Sequence, residues 1–124
     1  MIEVGEYVRT KRGYIAKLEY TDIQPNKKYY FFDETIYYDW GEAIDFLEEE
    51  EIERYIKTHS KNIINLIEVG DYVNGYKVDD IENGKLIIGD TTQVVEQIVE
   101  NNEIKNIVTK EQFNSVMYKV GDIE

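Results

Sequence analysis

Short alternations of apolar and polar residues, broken by single glycines, run along most of this chain, and one of them recurs. Residues 2–8 read IEVGEYV and residues 67–73 read IEVGDYV, identical except at Glu6 and Asp71. A truncated third copy, YKVGDIE, occupies 118–124. A heptad repeated this closely points to duplicated structural units. RTKRG and then YIAKLEY follow the first copy, and NG and then YKVDDI follow the second. Each is a strand-like run, a glycine turn and a second run rich in β-branched and aromatic residues. Asn74-Gly75 predicts a two-residue hairpin, because both central positions of that turn need positive φ. Asn83-Gly84 predicts another, so 67–89 reads as a three-strand meander.

The ends of the two units also correspond. IERYIKTHSKNIINLIEVGD (52–71) and IKNIVTKEQFNSVMYKVGD (104–122) align with a one-residue gap. Each predicts a strand, one turn of helix (Lys61–Leu66 and Lys110–Ser115) and then the Val-Gly-acid strand, with Ser60 and Thr109 as caps. The expected fold is therefore mainly β with a short helical insertion. Its architecture would be two tandem small Src-homology-3-like barrel units packed together, over 1–65 and 66–124, with the last Val-Gly-acid copy closing the second barrel. The run Tyr29-Tyr30-Phe31-Phe32 suits a barrel strand with aromatics on both faces.

The stretch 39–57, DWGEAIDFLEEEEIERYIK, departs from that scheme. Ile44, Leu47, Ile52, Tyr55 and Ile56 fall at helical spacing, and Asp39 with Glu42 makes a capping box. A helix over 42–50 is predicted as the insertion, with strand resuming over 52–58.

Composition adds few positive signals and several exclusions. The chain has 124 residues, 42% of them hydrophobic, which is enough for a core in one domain or two very small ones. It has no cysteine, so disulfides and thiolate chemistry are absent. Abundant Ile, Lys, Asn, Tyr and Glu suggest an AT-rich source. No apolar run reaches the roughly 20 residues of a membrane span, and MIEVGEYVRT lacks the order of a signal peptide. The expectation is a cytoplasmic protein without membrane contact. The formal charge is −12; residues 1–65 hold 9 bases and 14 acids, and residues 66–124 hold 5 and 12. Neither half offers a basic strip for a phosphate backbone, so direct nucleic-acid binding is not expected. A basic protein partner is.

Candidate chemistry is sparse. His59 is the single histidine, and Ser60 beside it is one of two serines. Neighbouring side chains on a strand or turn point apart, so a nucleophile–base pair is not expected there, and Ser60 serves better as a cap. No phosphate-cradling glycine motif occurs. A calcium loop counted from Asp39 to Glu50 fails, because Gly41, Ala43 and Ile44 occupy the intervening places that such a loop needs. No catalytic residue, metal ligand or cofactor is predicted. The strongest candidate is a partner-binding segment: Asp39, Glu42, Asp45, Glu48, Glu49, Glu50, Glu51 and Glu53, with no base among residues 39–53. Tyr37, Tyr38, Trp40 and Phe46 lie in or beside it. Acids aimed at a basic groove, with aromatics for contact area, would imitate a nucleic-acid strand. The competing reading is a solvated helix face with Trp40 and Phe46 in the core.

KNIINLIEVGDYVNGYKV (61–78) and IVTKEQFNSV (107–116) resemble segments of short uncharacterised phage and prophage proteins of low-GC Gram-positive bacteria. The resemblance implies a mobile-element setting and carries over no catalytic or ligand-binding residue. It is poorest over 24–52. By analogy with small acidic phage inhibitors, it implies an anti-defence, anti-CRISPR-like protein. Such a protein would bind a basic nucleic-acid-handling effector, such as a CRISPR nuclease, in the bacterial cytoplasm. The alternative is a non-enzymatic phage accessory interaction module; a hydrolase is the third reading.

Overall fold

A computed structural model describes residues 2–90, 93–99 and 103–116. The truncated heptad at 118–124, and the barrel closure expected of it, lie outside the described residues. The chain is mainly β, in curled, half-barrel-like sheets. Its elements in order are β1 (Tyr7–Thr10), β2 (Ile15–Ile23), β3 (Lys28–Phe32), β4 (Ile36–Tyr37), β5 (Ala43–Ile44) and β6 (Leu47–Glu48), then α1 (Glu49–Tyr55) and β7 (Ile56–Ser60). A 3-10 turn, Ile63–Leu66, leads on to β8 (Tyr72–Val73), β9 (Tyr76–Glu82), β10 (Lys85–Asp90), β11 (Gln93–Val99), β12 (Ile107–Val108) and α2 (Lys110–Val116). One sheet runs β6-β3-β2-β1-β7 and another β11-β10-β9-β8-β12, so the two share one strand order; β4 and β5 form a separate ladder.

The heptads, expected to run as strand throughout, instead build the same turn twice, and strand begins only at Tyr7 and Tyr72. Gly5 and Gly70 sit at φ 94° and 98°, which a side chain would strain. The next residue bonds back across the turn, Glu6 N–H to the Glu3 carbonyl at 3.0 Å and Asp71 N–H to that of Glu68 at 3.1 Å. Each acidic side chain then accepts the backbone N–H of Glu3 or Glu68 in turn. The acid is therefore a structural requirement of the turn, which explains its place in the motif. Beyond the turn the pairing is also the same: Leu18 N–H bonds Glu6 O, and Val78 N–H bonds Asp71 O, both at 2.8 Å. Ile2, Val8, Leu18 and Tyr30 fill the first core, and Ile67, Val73, Val78 and Leu86 fill the matching places in the second. The correspondence extends to an irregularity. The β2–β3 register shifts at Glu19 and the β9–β10 register at Asp79, each just after the matched residue Leu18 or Val78.

Both Asn-Gly turns form as the sequence predicts. Asn74 and Gly75 have φ of 53° and 88°, Asn83 and Gly84 of 50° and 73°, and β8, β9 and β10 make the meander. The terminal turns of helix are present, the first tighter and shorter than expected. Thr109 caps α2, its hydroxyl accepting the Gln112 N–H at 3.3 Å. Ser60 instead accepts the Asn62 N–H, just before the 3-10 turn.

The helix expected over 42–50 is displaced. Gly41, at φ 89°, closes a turn from Tyr38, and the chain reverses from β4 into β5. Ile44 pairs with Ile36 across that ladder, and Leu47 enters the first core from β6. Their three-residue spacing satisfies a strand-turn-strand as well as a helix, and the glycine decides between them. The capping box is Glu48 with Glu51, replacing the expected Asp39 with Glu42. Strand resumes only at Ile56, because Ile52 and Tyr55 belong to α1.

A buried ionic cluster joins the two sheets. Arg9 in β1 is fully buried, and its guanidinium grips both oxygens of the equally buried Asp71. It also donates to the Leu66 carbonyl at 2.9 Å and to Glu111 of α2 at 2.8 Å. Asp71 accepts four N–H bonds in all, from the two Arg9 nitrogens and from the Glu68 and Lys110 backbones. Arg9 Nε makes no hydrogen bond and lies 3.6 Å from Glu68, which Lys57 and Lys110 also hold at 2.7 and 2.8 Å. Beside the cluster, Thr109 donates its hydroxyl to the Gly13 carbonyl at 2.7 Å, and Gln112 its amide to that of Arg12. Two charges this deeply buried are tolerated because nearly every polar atom has a partner.

Two predictions follow from this cluster. Burial pushes the Glu68 carboxyl up, but the Lys110 and Lys57 bonds outweigh it and hold it at about 2, below its ordinary 4.5. Its stabilisation is therefore complete above about pH 4.5 and disappears as pH falls toward 2. Urea unfolding across that range should show a steep acid limb that Glu68→Gln flattens. Separately, Gly13 and Gly41 both sit at φ 89°, but only at Gly13 would a Cβ overlap a neighbour, Thr109 Oγ1. Gly41→Ala should cost about 1 kcal/mol, and Gly13→Ala at least about twice that. Equal losses in thermal denaturation would contradict this packing.

Candidate functional site

The acidic segment is divided between a hairpin and a helix. Tyr37, Tyr38, Asp39, Trp40 and Glu42 belong to the β4–β5 hairpin, Asp45 lies between strands, Glu48 ends β6, and Glu49, Glu50, Glu51 and Glu53 lie on α1. The helix begins where it does because the Glu51 side chain accepts the Glu48 N–H at 3.0 Å. Its far end is held by Lys11, whose side chain donates to the Glu53 carbonyl and whose backbone donates to that of Tyr55. A lysine there also complements the negative end of the helix.

The carboxylates are not equivalent. Glu48 and Glu51 make the cap, and Glu48 also pairs with Lys27 at 3.1 Å, which keeps its carboxyl below the ordinary value. Glu42 accepts the Trp40 indole N–H at 2.9 Å, and Asp39 lies 4.0 Å from Arg12. Asp45, Glu49, Glu50 and Glu53 are exposed, and no ion pair among the described residues uses them. The Tyr38 phenol registers the local potential: burial first, then the carboxylates of Glu51, Glu42 and Asp45, raise it above its ordinary value.

Two hollows flank α1. Ile2, Tyr30, Ile52, Ile56, Lys57 and His59 line a groove of about 420 Å³ with Glu49, Glu50 and Glu53 along it. On the other flank, Tyr37, Trp40 and Tyr55 line one of about 160 Å³ together with Asp39, Lys11, Arg12 and Arg54. The expected acidic–aromatic strip is thus split. Helical acids lie along one hollow, and the Trp40 aromatics share the other with three bases.

Trp40 is 65% exposed and Phe46 39% exposed, so neither enters the core. Trp40 stacks on Tyr38 at 4.5 Å and 7°. Phe46 meets an aromatic group that no local sequence pattern reveals: it is 5.0 Å from Tyr29 and 5.8 Å from Phe31, and Phe31 stacks on Tyr20 at 4.5 Å. The alternation of β2 hides this, since buried Ala16 and Leu18 predict Tyr20 to face inward. The shift at Glu19 turns it outward. The double-aromatic face of β3 was legible, with Tyr30 buried and Tyr29 and Phe31 on the outside.

His59 and Ser60 form no pair. His59 Nδ1 lies 3.0 Å from Glu6, while the Ser60 hydroxyl accepts the Asn62 N–H and the Asn65 amide. Among the described residues no group of three or more His, Asp or Glu is placed to hold a metal ion, and no helix is long and apolar enough to cross a membrane.

No known protein family, curated protein or solved structure matches this chain.

Proposed function

We propose that this chain is a non-enzymatic binding protein that acts stoichiometrically. It docks the face around α1 and the β4–β5 hairpin onto the basic surface of a nucleic-acid-handling protein. In its specific form it is a phage-encoded, anti-CRISPR-like inhibitor that takes the place of nucleic acid on an effector in the bacterial cytoplasm. The scaffold is a tandem pair of small Src-homology-3-like units, divided near residue 65. The observation that carries the reading is the exposure of Trp40 and Phe46 in a segment whose Asp45, Glu49, Glu50 and Glu53 have no ion-pair partner among the described residues. A solvated helix face alone gives no reason to leave a tryptophan 65% exposed. The net charge of −12 adds a long-range pull toward basic partners.

A second reading, an accessory interaction module, draws on the Trp40 hollow. Lys11, Arg12 and Arg54 stand there beside Asp39, so that flank has no single sign. Salt separates the two, because a nucleic-acid-like docking face weakens steeply with ionic strength and a mixed one does not.

The helix geometry selects the test. Glu48 and Glu51 build the cap, so reversing them would disturb α1, whereas Glu49, Glu50 and Glu53 are open to reversal. Cleavage of target DNA by purified RNA-guided nucleases of low-GC Gram-positive bacteria should be blocked near one-to-one stoichiometry. Glu49→Lys, Glu50→Lys and Glu53→Lys together should raise the inhibitory concentration at least about tenfold. Undiminished inhibition by the folded triple variant would overturn the mimicry, and unimpaired cleavage by every nuclease tested would overturn the inhibitor reading.

A further inference from the structure

The outer face of β2, β3 and β6 carries an aromatic row that the fold does not require. Tyr20 and Phe31 are cross-strand partners, and Phe46 continues the row on the β6 side. Tyr29 lies one step along, opposite Asp22 on one neighbouring strand and Glu48 on the other. Four rings linked in the chain Tyr20–Phe31–Phe46–Tyr29 are thus flanked by carboxylates on both sides, and exposed Asp45 precedes Phe46.

The second sheet serves as an internal control. With Leu18 matched to Val78 and Phe32 to Ile88, the place of Tyr20 is taken by Asp80, that of Phe31 by Ile87 and that of Tyr29 by Lys85. The inward places keep large apolar residues in both sheets, Tyr30 and Leu86 being fully buried. The shared frame therefore conserves the core and not the outward aromatics. The matching register shift in the second sheet presents Asp80 to the outside, whereas the one after Leu18 presents a tyrosine that is 51% exposed.

We infer that this face is a docking platform for arginine side chains of a basic protein partner. A guanidinium is planar, so it stacks face-on on aromatic rings while pairing with a carboxylate through two parallel N–H bonds, whereas an ammonium pairs as a point charge and does not stack. Tyr20, Phe31 and Phe46 supply the stack; Asp45 and Asp22 supply the charge, Asp22 holding only the neutral Gln24 amide, while Glu48 is already engaged by Lys27 and the α1 cap. Cations of the chain lie over Tyr7, Tyr30 and Tyr55, and among the described residues none lies over these four rings. Lys27 already pairs with Glu48, which shows that the edge of the platform accepts a cation. Aromatic rows also stack nucleic-acid bases, but the carboxylates on both sides repel phosphates. The inference shares with the proposed function the basic character of the partner and the residues Asp45 and Phe46, but it places the contact on the outer face of β2, β3 and β6 and not on α1.

Calorimetric titration of the intact protein with an arginine–glycine repeat peptide, its lysine counterpart and oligouridylate tests it. The arginine peptide should bind about fivefold to tenfold more tightly than the lysine peptide. Tyr20→Ala and Phe46→Ala should each erase that preference, Asp22→Asn should weaken both peptides, and Glu53→Lys, on α1, should leave the preference intact. Equal affinity for the two peptides, a preference that survives Tyr20→Ala, or tighter binding of oligouridylate would overturn the platform. Loss of the platform alongside intact, α1-dependent nuclease inhibition would leave the proposed function standing. The reverse pattern would leave the platform standing without it.

Discussion

The grip of Arg9 on Asp71 is the constraint around which the rest of this molecule is arranged. It joins β1 of one sheet to the heptad turn that opens the other, and neither group is in contact with water. Desolvating two charges is unfavourable unless their bonds are nearly complete, and here Asp71 accepts four while Arg9 reaches Asp71, Glu111 and the Leu66 carbonyl. Burial alone would lower the Arg9 pKa; the Asp71 and Glu111 bonds more than reverse this and raise it, so the arginine stays charged. Glu68, Lys57, Lys110, Thr109 and Gly13 are positioned by the same junction.

The junction also gives meaning to the one difference between the heptads. Glu6 and Asp71 do the same local work, each closing its turn by accepting a backbone N–H. The longer Glu6 also reaches His59 on β7 within its own sheet, while the shorter Asp71 meets Arg9 from the other sheet. One methylene thus separates a within-sheet contact from a between-sheet one. A duplicated unit needs some such asymmetry to dock two copies in a defined arrangement, and a buried ion pair is a device that punishes other arrangements.

Local chemistry was the legible part of the fold. The Asn-Gly hairpins, the Thr109 cap and the double-aromatic β3 were all visible, because each depends on residues a few positions apart; the Val-Gly-acid segment was visible as a repeat but reads as strand and folds as a turn. What was not legible depended on distance along the chain or on an irregularity. Ile44 and Leu47 sit at a spacing that helix and strand-turn-strand share, and Gly41, at positive φ, breaks the tie toward the hairpin. Arg9 looked like one of three bases in a polar turn, and no local pattern shows that Asp71 and Glu111 converge on it. For the candidate site, the segment was visible as composition but its division into two hollows was not. The outward swing of Tyr20 depends on a register shift that alternation conceals.

The same junction lets the outer surfaces diverge. With the cores and the between-sheet contact set by inward residues, the α1 flank and the outer face of β2, β3 and β6 are free to carry acids and exposed aromatics. The most direct measurement is a double-mutant cycle of Arg9→Met and Asp71→Asn, followed by urea unfolding at neutral pH. The account predicts that the two losses fail to add by at least about 2 kcal/mol, because either change alone strands a buried charge. Losses that add to within about 0.5 kcal/mol would mean that the pair is not coupled, and would contradict the account.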